Sequence, residues 1–99
     1  YGSRATKRKV YIAKTTNYYT KKQVGEFLIE TGELNIGDDI MITGQTTGVV
    51  ETKIKEIRVN LQTVKKAVKG EKCSIKIEEF IRRSDRLYKI VPAEKVTLQ

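Results

Sequence analysis

Alternating apolar and polar residues dominate both ends of this chain, and that pattern predicts β-strands. In residues 9–19, Val10 and Ile12 fall on one face among β-branched and aromatic neighbours. Residues 24–30 and 39–44 follow the same two-residue period. Polar turns separate these runs. The pattern therefore predicts three strands in the first half of the chain.

The middle of the chain carries two competing patterns. Its apolar residues recur at spacings of four and three, as on one face of a helix. Half of the residues there are β-branched, however, and they also form two alternating runs that are out of phase by one residue. A β-bulge near residues 55–56 would restore the phase, so the pattern leaves helix and bulged strand open. The helical stripe consists of Val50, Ile54, Ile57, Leu61, Val64 and Val68.

Alternation returns after a turn at Gly70. Residues 72–77 and 86–91 are predicted strands, Pro92 ends the second of them, and residues 95–98 are a candidate for a short last strand. Many short strands with polar turns predict an all-β fold, and we expect a small closed antiparallel β-barrel. Closure also suits a basic monomer because it leaves no free sheet edge.

Length and composition fit one small domain. The chain has 99 residues, of which 38% are hydrophobic and 32% charged, as in globular proteins. We expect residues 9–99 to form a single β-barrel domain. Residues 1–8 are basic and are expected to be a linker or an expression remnant. Because Tyr1 is not a natural start, we expect the chain to be a piece of a longer protein.

The charge balance suggests a polyanionic partner. Twenty Lys and Arg against twelve Asp and Glu give a net charge of +8. Such an excess suits nucleic acid or another anionic surface, although solubility or an acidic neighbouring domain explains it equally well. No apolar run approaches the ~20 residues of a membrane span, so we expect no membrane partner.

Little in the sequence can support catalysis. Histidine is absent, and the single cysteine, Cys73, stands among alternating apolar residues, where we expect it to be a small buried side chain in a protein of the reducing cytoplasm. No nucleophile-elbow or phosphate-loop motif occurs. The neighbouring acids Glu78 and Glu79 would point to opposite faces of a strand. We expect no activity from this chain alone, and no metal or cofactor in this domain.

The stretch GELNIGDDIMITGQTTG, residues 32–48, is expected to build the fold. Gly32 and Gly37 can adopt positive φ where the chain reverses. Asp38 or Asp39 can accept backbone N–H groups in the turn. The rival interpretation is a cation site, but two adjacent acids without further oxygen ligands make a poor one.

Binding is the function class that the sequence favours. In TTNYYTKK, aromatic rings stand beside lysines, as in proteins that stack bases, although one tyrosine can equally belong to the core and the other to the barrel wall. The loop IRRSDR offers arginine forks for phosphate oxygens, or else a solvated turn in which Asp85 pairs with an arginine. Our candidate nucleic-acid or substrate-binding residues are Lys14, Tyr18, Tyr19, Lys21, Lys22, Arg58, Arg82 and Arg83.

Several motifs resemble known families. The string GDxIxI from Gly37, followed by VxxAxxGxxCxIxI from Val64, resembles the second domain of elongation factor Tu and its relatives. More narrowly, AKTTNYY, VGEFLIETGELNIGDDIMITGQTTGVVE and RRSDRLYKIV resemble the C-terminal domain of the family U-32 peptidases, the collagenase-like proteases. The resemblance runs from about residue 10 to residue 91, and it favours strand over helix at residues 49–60.

The resemblance implies a barrel of the translation-protein type that serves as an accessory domain. Such a domain would bind RNA, transfer or ribosomal, or substrate for an upstream catalytic domain of the same polypeptide. The whole protein would be classed as a U-32 peptidase, although several relatives are associated with hydroxylation of RNA bases or quinone precursors by iron–sulfur clusters. The cysteines that hold such clusters are absent here, so the family's functional residues do not carry over. The alternatives are a module that docks on its own catalytic domain, or part of a true protease.

Overall fold

The computed structural model describes residues 7–92, and within them it contains β-strands and no helix. No segment of that range forms a helix that could cross a bilayer. The predicted all-β class is confirmed. The strands are β1 (Lys7–Tyr19), β2 (Val24–Ile29), β3 (Glu33–Asn35), β4 (Asp39–Gly44), β5 (Gly48–Lys53), β6 (Ile57–Val59), β7 (Gln62–Val64), β8 (Lys66–Val68), β9 (Lys72–Lys76) and β10 (Arg86–Pro92).

Eight strands form one antiparallel sheet, in the order β5-β4-β10-β1-β2-β9-β6-β7, and β3 pairs with β8 in a second, small sheet. The long strand β1 is the centre of the large sheet, since β10 and β2 flank it. Its register shifts between Tyr11 and Ala13 against β10, and between Thr15 and Asn17 against β2. Such bulges bend a strand and increase its twist, so β1 can curve around the core.

Closure of the sheet into a barrel stays a prediction. The end strands β5 and β7 do not pair with each other in the described part of the chain. Backbone hydrogen bonds nevertheless join the small sheet to the large one. The Gly37 N–H donates to the carbonyl of Ile54 at 2.8 Å, and the Ile36 N–H donates to the carbonyl of Lys65 at 3.1 Å.

A single apolar core lies beneath both sheets, and its members come from nearly every strand. The two-residue period predicted for residues 24–30 and 39–44 is confirmed: Phe27 and Ile29 of β2, and Ile40 and Ile42 of β4, are all at most 1% exposed. The cluster consists of Ile12, Ala13, Phe27, Ile29, Leu34, Ile40, Ile42, Val50, Ile54, Ile57, Ala67, Cys73, Ile75, Ile77, Ile81 and Leu87.

The ambiguous middle segment is strand, as the family resemblance indicates. It is not one bulged strand, however, because residues 54–56 separate β5 from β6. Strand β5 pairs with β4, whereas β6 pairs with β9 and β7. Ile54 and Ile57 are both buried at this crossing. The change of phase in the sequence therefore marks a change of partner strand, not an extra residue within one ladder.

Some predicted boundaries differ from those of the structure. Strand β1 begins at Lys7, two residues before the predicted start. Residues 33–35 lie between two predicted strands and were not predicted to be strand themselves, but they form β3, where Leu34 lies opposite Ala67 of β8 and both are fully buried. The rest of the predicted N-terminal linker and the candidate strand at 95–98 lie outside the described residues.

The glycine turns take the predicted conformations. Gly32 and Gly37 have φ of +69° and +93°, in the left-handed region that favours glycine. The Asp38 carboxylate accepts the N–H of Asn35 at 2.8 Å and so closes the turn before β4. Asp38 also pairs with Lys89 of β10 at 3.3 Å. The stretch at residues 32–44 thus builds the fold, as expected.

Candidate nucleic-acid interface

An arginine-rich loop, residues 82–86, lies beside the β4–β5 turn at residues 44–48. The two segments line an open cleft, and Arg82, Arg83 and Arg86 all contribute to its walls. We call it the arginine cleft. Guanidinium groups present planar forks of N–H donors that match phosphate oxygens. The loop therefore gathers three such forks at one end of β10.

The buried carboxylate of Asp85 fixes this loop. Asp85 is only 6% exposed, and its carboxylate accepts the N–H of Arg82 at 2.9 Å and the hydroxyl of Thr47. Thr15 of β1 holds the loop from the other side, through hydrogen bonds with the backbone of Asp85 (2.8 Å) and of Ser84 (2.9 Å). Within residues 7–92 Asp85 forms no ion pair, so the expected pairing with an arginine side chain is replaced by bonds to backbone and hydroxyl.

The two adjacent tyrosines have different surroundings. The Tyr18 hydroxyl donates to the carbonyl of Ile77 at 2.7 Å, and its ring packs edge-on against Phe80 with centroids 5.5 Å apart. Burial, followed by the charge of Glu79, raises the pKa of Tyr18. Tyr18 is therefore committed to packing, whereas Tyr19 is 44% exposed on the outer face. The pair therefore matches the alternative in which one tyrosine packs on the core and the other lies on the outer wall, and only the ring of Tyr19 is accessible.

A second concave surface lies on the outer face of β2, β9 and β6. We call it the lysine groove. Lys22, Lys72 and Lys76 line it together with Tyr19. The ion pairs found within residues 7–92 do not involve these lysines. Glu26 and Glu56 also line the groove, but the cations outnumber these carboxylates, so the groove can accept an anion.

Arg58 also lines the lysine groove, but it already has a partner. Its Nε lies 3.0 Å from a carboxylate oxygen of Glu56. That hydrogen bond, assisted by the hydroxyl of Thr63, lowers the pKa of Glu56. Since both side chains are about half exposed, the pair adds little to stability, but it neutralises Arg58 locally.

Strand register connects the two concave surfaces. Arg86 of β10 is paired with Lys14 of β1, Lys14 with Leu28 of β2, and Leu28 with Lys72 of β9. The cations in this row are exposed, and Leu28 is half-buried. Lys14 has only an exposed carboxylate, Glu30, at 4.0 Å. We call this row the basic band; it runs from the arginine cleft to the lysine groove.

The structure groups most of the sequence-predicted residues along this band. Arg82 and Arg83 line the arginine cleft, Lys14 lies in the band, and Lys22 lines the groove. Tyr19 and Arg58 also line the groove, whereas Tyr18 packs behind the surface. Lys21 is exposed in the turn after β1 and lines neither surface.

The list of candidate residues omitted four residues of these surfaces. Arg86 belongs to the loop IRRSDR, whose arginines the sequence analysis already considered for phosphate binding. Lys72 and Lys76 alternate with Cys73 and Ile75, and this period places their side chains on the outer face. The fourth, Leu61, gave no signal because its spacing assigned it to an apolar stripe.

Residues 7–92 contain no cluster of three His, Cys, Asp or Glu side chains that would suit a metal ion. Cys73 is 1% exposed, and burial, with smaller effects of Glu71 and Glu26, raises the pKa of its thiol to about 12. The cysteine is therefore a protonated core residue at neutral pH, as predicted.

The fold is similar to that of a solved protein domain. The C-terminal domain of a Geobacillus thermoleovorans protein assigned to the U32 peptidases superposes with a TM-score of 0.76 at 11% identity, over 81% of this chain and 91% of that one. Its selenomethionine variant gives 0.74 at 10% identity, over 78% and 95%. The fold is therefore that of a U32 peptidase C-terminal domain, and the Geobacillus protein shows that it crystallises as a separate chain.

The sequence relatives of this chain are named as collagenases and as a protease. A collagenase of Porphyromonas gingivalis strain W83 is 52% identical over 95 residues, which are 96% of this chain and 23% of that protein. A second P. gingivalis collagenase is 50% identical over 95 residues, 26% of its length. An uncharacterised protease of Methanocaldococcus jannaschii is 38% identical over 87 residues, 88% of this chain and 21% of that protein.

Together these likenesses identify the chain as a C-terminal-type domain of the U32, collagenase-like peptidase family. The sequence matches no protein-family model. The chain spans about a quarter of the length of the curated relatives that it matches. The family resemblance inferred from the motifs is therefore confirmed.

Proposed function

We propose that this chain is a non-catalytic accessory domain that binds RNA, transfer or ribosomal, for a catalytic part of the same polypeptide. Two facts support an accessory role. The domain is about a quarter of the length of its curated relatives, and its described residues include no cluster that would suit a metal ion. The proposal that it binds RNA depends on its surface charge.

The observation that carries the proposal is the alignment of Arg86, Lys14 and Lys72 across neighbouring strands. Like charges directly opposite each other in a sheet destabilise it, by roughly 0.2–1 kcal/mol for a close pair. Lys14 and Arg86 are such a pair. The phosphates of a bound polyanion offset this repulsion by neutralising the cations. Each phosphate contact also favours binding, because it releases condensed counterions from the nucleic acid.

The shape of the band favours a polymer over a small acid. Its cations cross four strands, which at a spacing of ~4.8 Å makes the row about 14 Å long. The arginine cleft and the lysine groove extend it at both ends. One carboxylate or phosphate can touch only one part of such a row, whereas a nucleic-acid backbone can follow all of it.

The proposal extends to the architecture and the compartment. We propose that the sheet curves into a closed barrel of the elongation factor Tu type, and the single core and the hydrogen bonds from Gly37 and Ile36 support this. A cytoplasmic location is proposed because Cys73, as a buried thiol, suits a reducing compartment.

Titration of the purified domain with total transfer RNA, from about 50 to about 200 mM salt, tests the proposal. We expect the logarithm of the affinity to fall linearly with the logarithm of salt. Lys14→Glu is expected to weaken binding strongly. Lys66→Glu is the matched control, because Lys66 is exposed on β8, away from the band, and pairs with Glu33.

Absence of binding at the lowest salt would refute the proposal. Equal effects of Lys14→Glu and Lys66→Glu would refute the location. If the domain does not bind RNA at the lowest salt, the remaining hypothesis is that it is a module that docks on its own catalytic domain.

A further inference from the structure

Leu61 stands at the tip of the β6–β7 hairpin in a conformation that leucine disfavours. Val59 pairs with Gln62, so Asn60 and Leu61 form a two-residue turn. Their φ angles are +54° and +66°. A turn in which both central residues have positive φ is of type I′, which prefers Asn-Gly. Leucine therefore occupies the position at which glycine is favoured.

Leu61 does not stabilise the fold through packing. Leu61 is 96% exposed, so it contributes nothing to the core. A residue with a Cβ also costs free energy in the left-handed region. Strained residues of this kind cluster at functional sites, where the strain is retained for a contact outside the fold.

The surroundings of Leu61 indicate what that contact is. Leu61 lines the lysine groove together with the exposed ring of Tyr19, beside Lys22, Lys72 and Lys76. A groove of about 680 Å³ has room for a nucleotide. Aromatic rings bind unpaired bases by stacking, an apolar side chain can cover the other face of such a base, and lysines neutralise the phosphates.

A protein partner fits this surface less well. Docking proteins bury contiguous apolar patches, whereas Leu61 projects alone from its hairpin. The other largely exposed apolar side chains of the described chain do not line this groove, apart from Tyr19. They are Ile36, Val49, Val68 and Phe80.

We propose that Leu61 and Tyr19 form a seat for an unpaired nucleotide, so that the domain prefers single-stranded to duplex RNA. This inference rests on the proposed RNA binding and adds the class of RNA. In a duplex the bases are stacked and paired, so the seat stays empty and only the basic band contributes. Single-stranded RNA contacts both the basic band and the seat.

The test is Leu61→Gly, which has opposite effects on folding and on binding. We expect the melting temperature to rise, because Asn-Gly is the preferred I′ pair. We expect the affinity for a single-stranded oligouridine of about 12 nucleotides to fall about tenfold. The affinity for an RNA duplex of equal length should not change. Tyr19→Ala should give the same selective loss, and Val68→Thr, on an exposed position of β8, should change neither affinity.

Each outcome separates this inference from the proposed function. If Leu61→Gly leaves single-strand affinity unchanged, or lowers both affinities equally, the seat does not exist although RNA binding stands. A lower melting temperature would overturn the strain argument. If the unaltered domain binds neither RNA at about 50 mM salt, the proposed function and this inference both fail.

Discussion

The carboxylate of Asp85 occupies the space into which a Cβ at position 44 would project. Its Oδ1 and Cγ overlap that point, so only glycine fits there. Gly44 ends β4, and Asp85 immediately precedes β10. The contact therefore locks the β4–β5 turn against the arginine loop, and the positions of Arg82 and Arg86 depend on it.

Gly44→Ala is expected to destabilise the domain by about 1–3 kcal/mol, the usual cost of overpacking. Chemical denaturation measures this change. The cause can be isolated with a double-mutant cycle, because in an Asp85→Ala background the added methyl group meets no carboxylate and should cost little. If Gly44→Ala costs the same in both backgrounds, the contact is not the cause.

Two substitutions at Asp85 are expected to change RNA affinity in opposite directions. Asp85→Asn removes a negative charge beside the cleft but keeps an acceptor for the Arg82 N–H, so binding should tighten. Asp85→Ala removes the charge and the acceptor, which leaves that N–H without its partner and releases the loop at a cost of roughly 1–3 kcal/mol. Binding should then weaken despite the more positive cleft.

Titrations of both variants with transfer RNA, with melting temperatures measured in parallel, test whether the two affinities change in opposite directions. Tighter binding by Asp85→Ala would show that Asp85 acts only through its charge and that the loop needs no anchor.

Lys72 and Arg58 line the same groove but should differ in their effect on salt dependence. Lys72 has no carboxylate partner within residues 7–92, so it is free to contact a phosphate. Lys72→Ala should lower the slope of log affinity against log salt by about 0.7–0.9. Arg58 is held by Glu56 at 3.0 Å, so Arg58→Ala should leave that slope unchanged. Equal slopes for the two variants would contradict this assignment.

Alternation along the chain predicted the strands that bury one face. Ile40 and Ile42, and likewise Cys73 and Ile75, lie inward as their period requires. Strands β3 and β8 escaped prediction because three residues, with one buried side chain each, are too short to show a period. Leu61 fell on an apparent helical stripe, whereas the hairpin places it in solvent.

The basic band is not readable from the sequence because it depends on pairing between distant strands. Arg86, Lys14 and Lys72 belong to β10, β1 and β9, which only the sheet order brings into one row, with β2 between β1 and β9. The two bulges in β1 also shift its register against both partners. A pattern along the chain can place each cation on the outer face, but it cannot align them.

Alkaline pH should destabilise the domain, first through Cys73 and then through Tyr11. Burial raises the thiol pKa from 9.0 to about 12, and burial together with the hydrogen bond to Glu30 raises that of Tyr11 from 10.0 to about 12. The folded state therefore keeps protons that the unfolded chain has lost, so the free energy of unfolding should fall with pH above about 9.

Urea denaturation across that range measures the decline in the free energy of unfolding. Cys73→Ala lowers stability at every pH but should remove most of the decline between pH 9.0 and 10.0, and Tyr11→Phe should reduce the decline mainly above pH 10.0. An unchanged decline in Cys73→Ala would mean that the thiol is not the group that titrates.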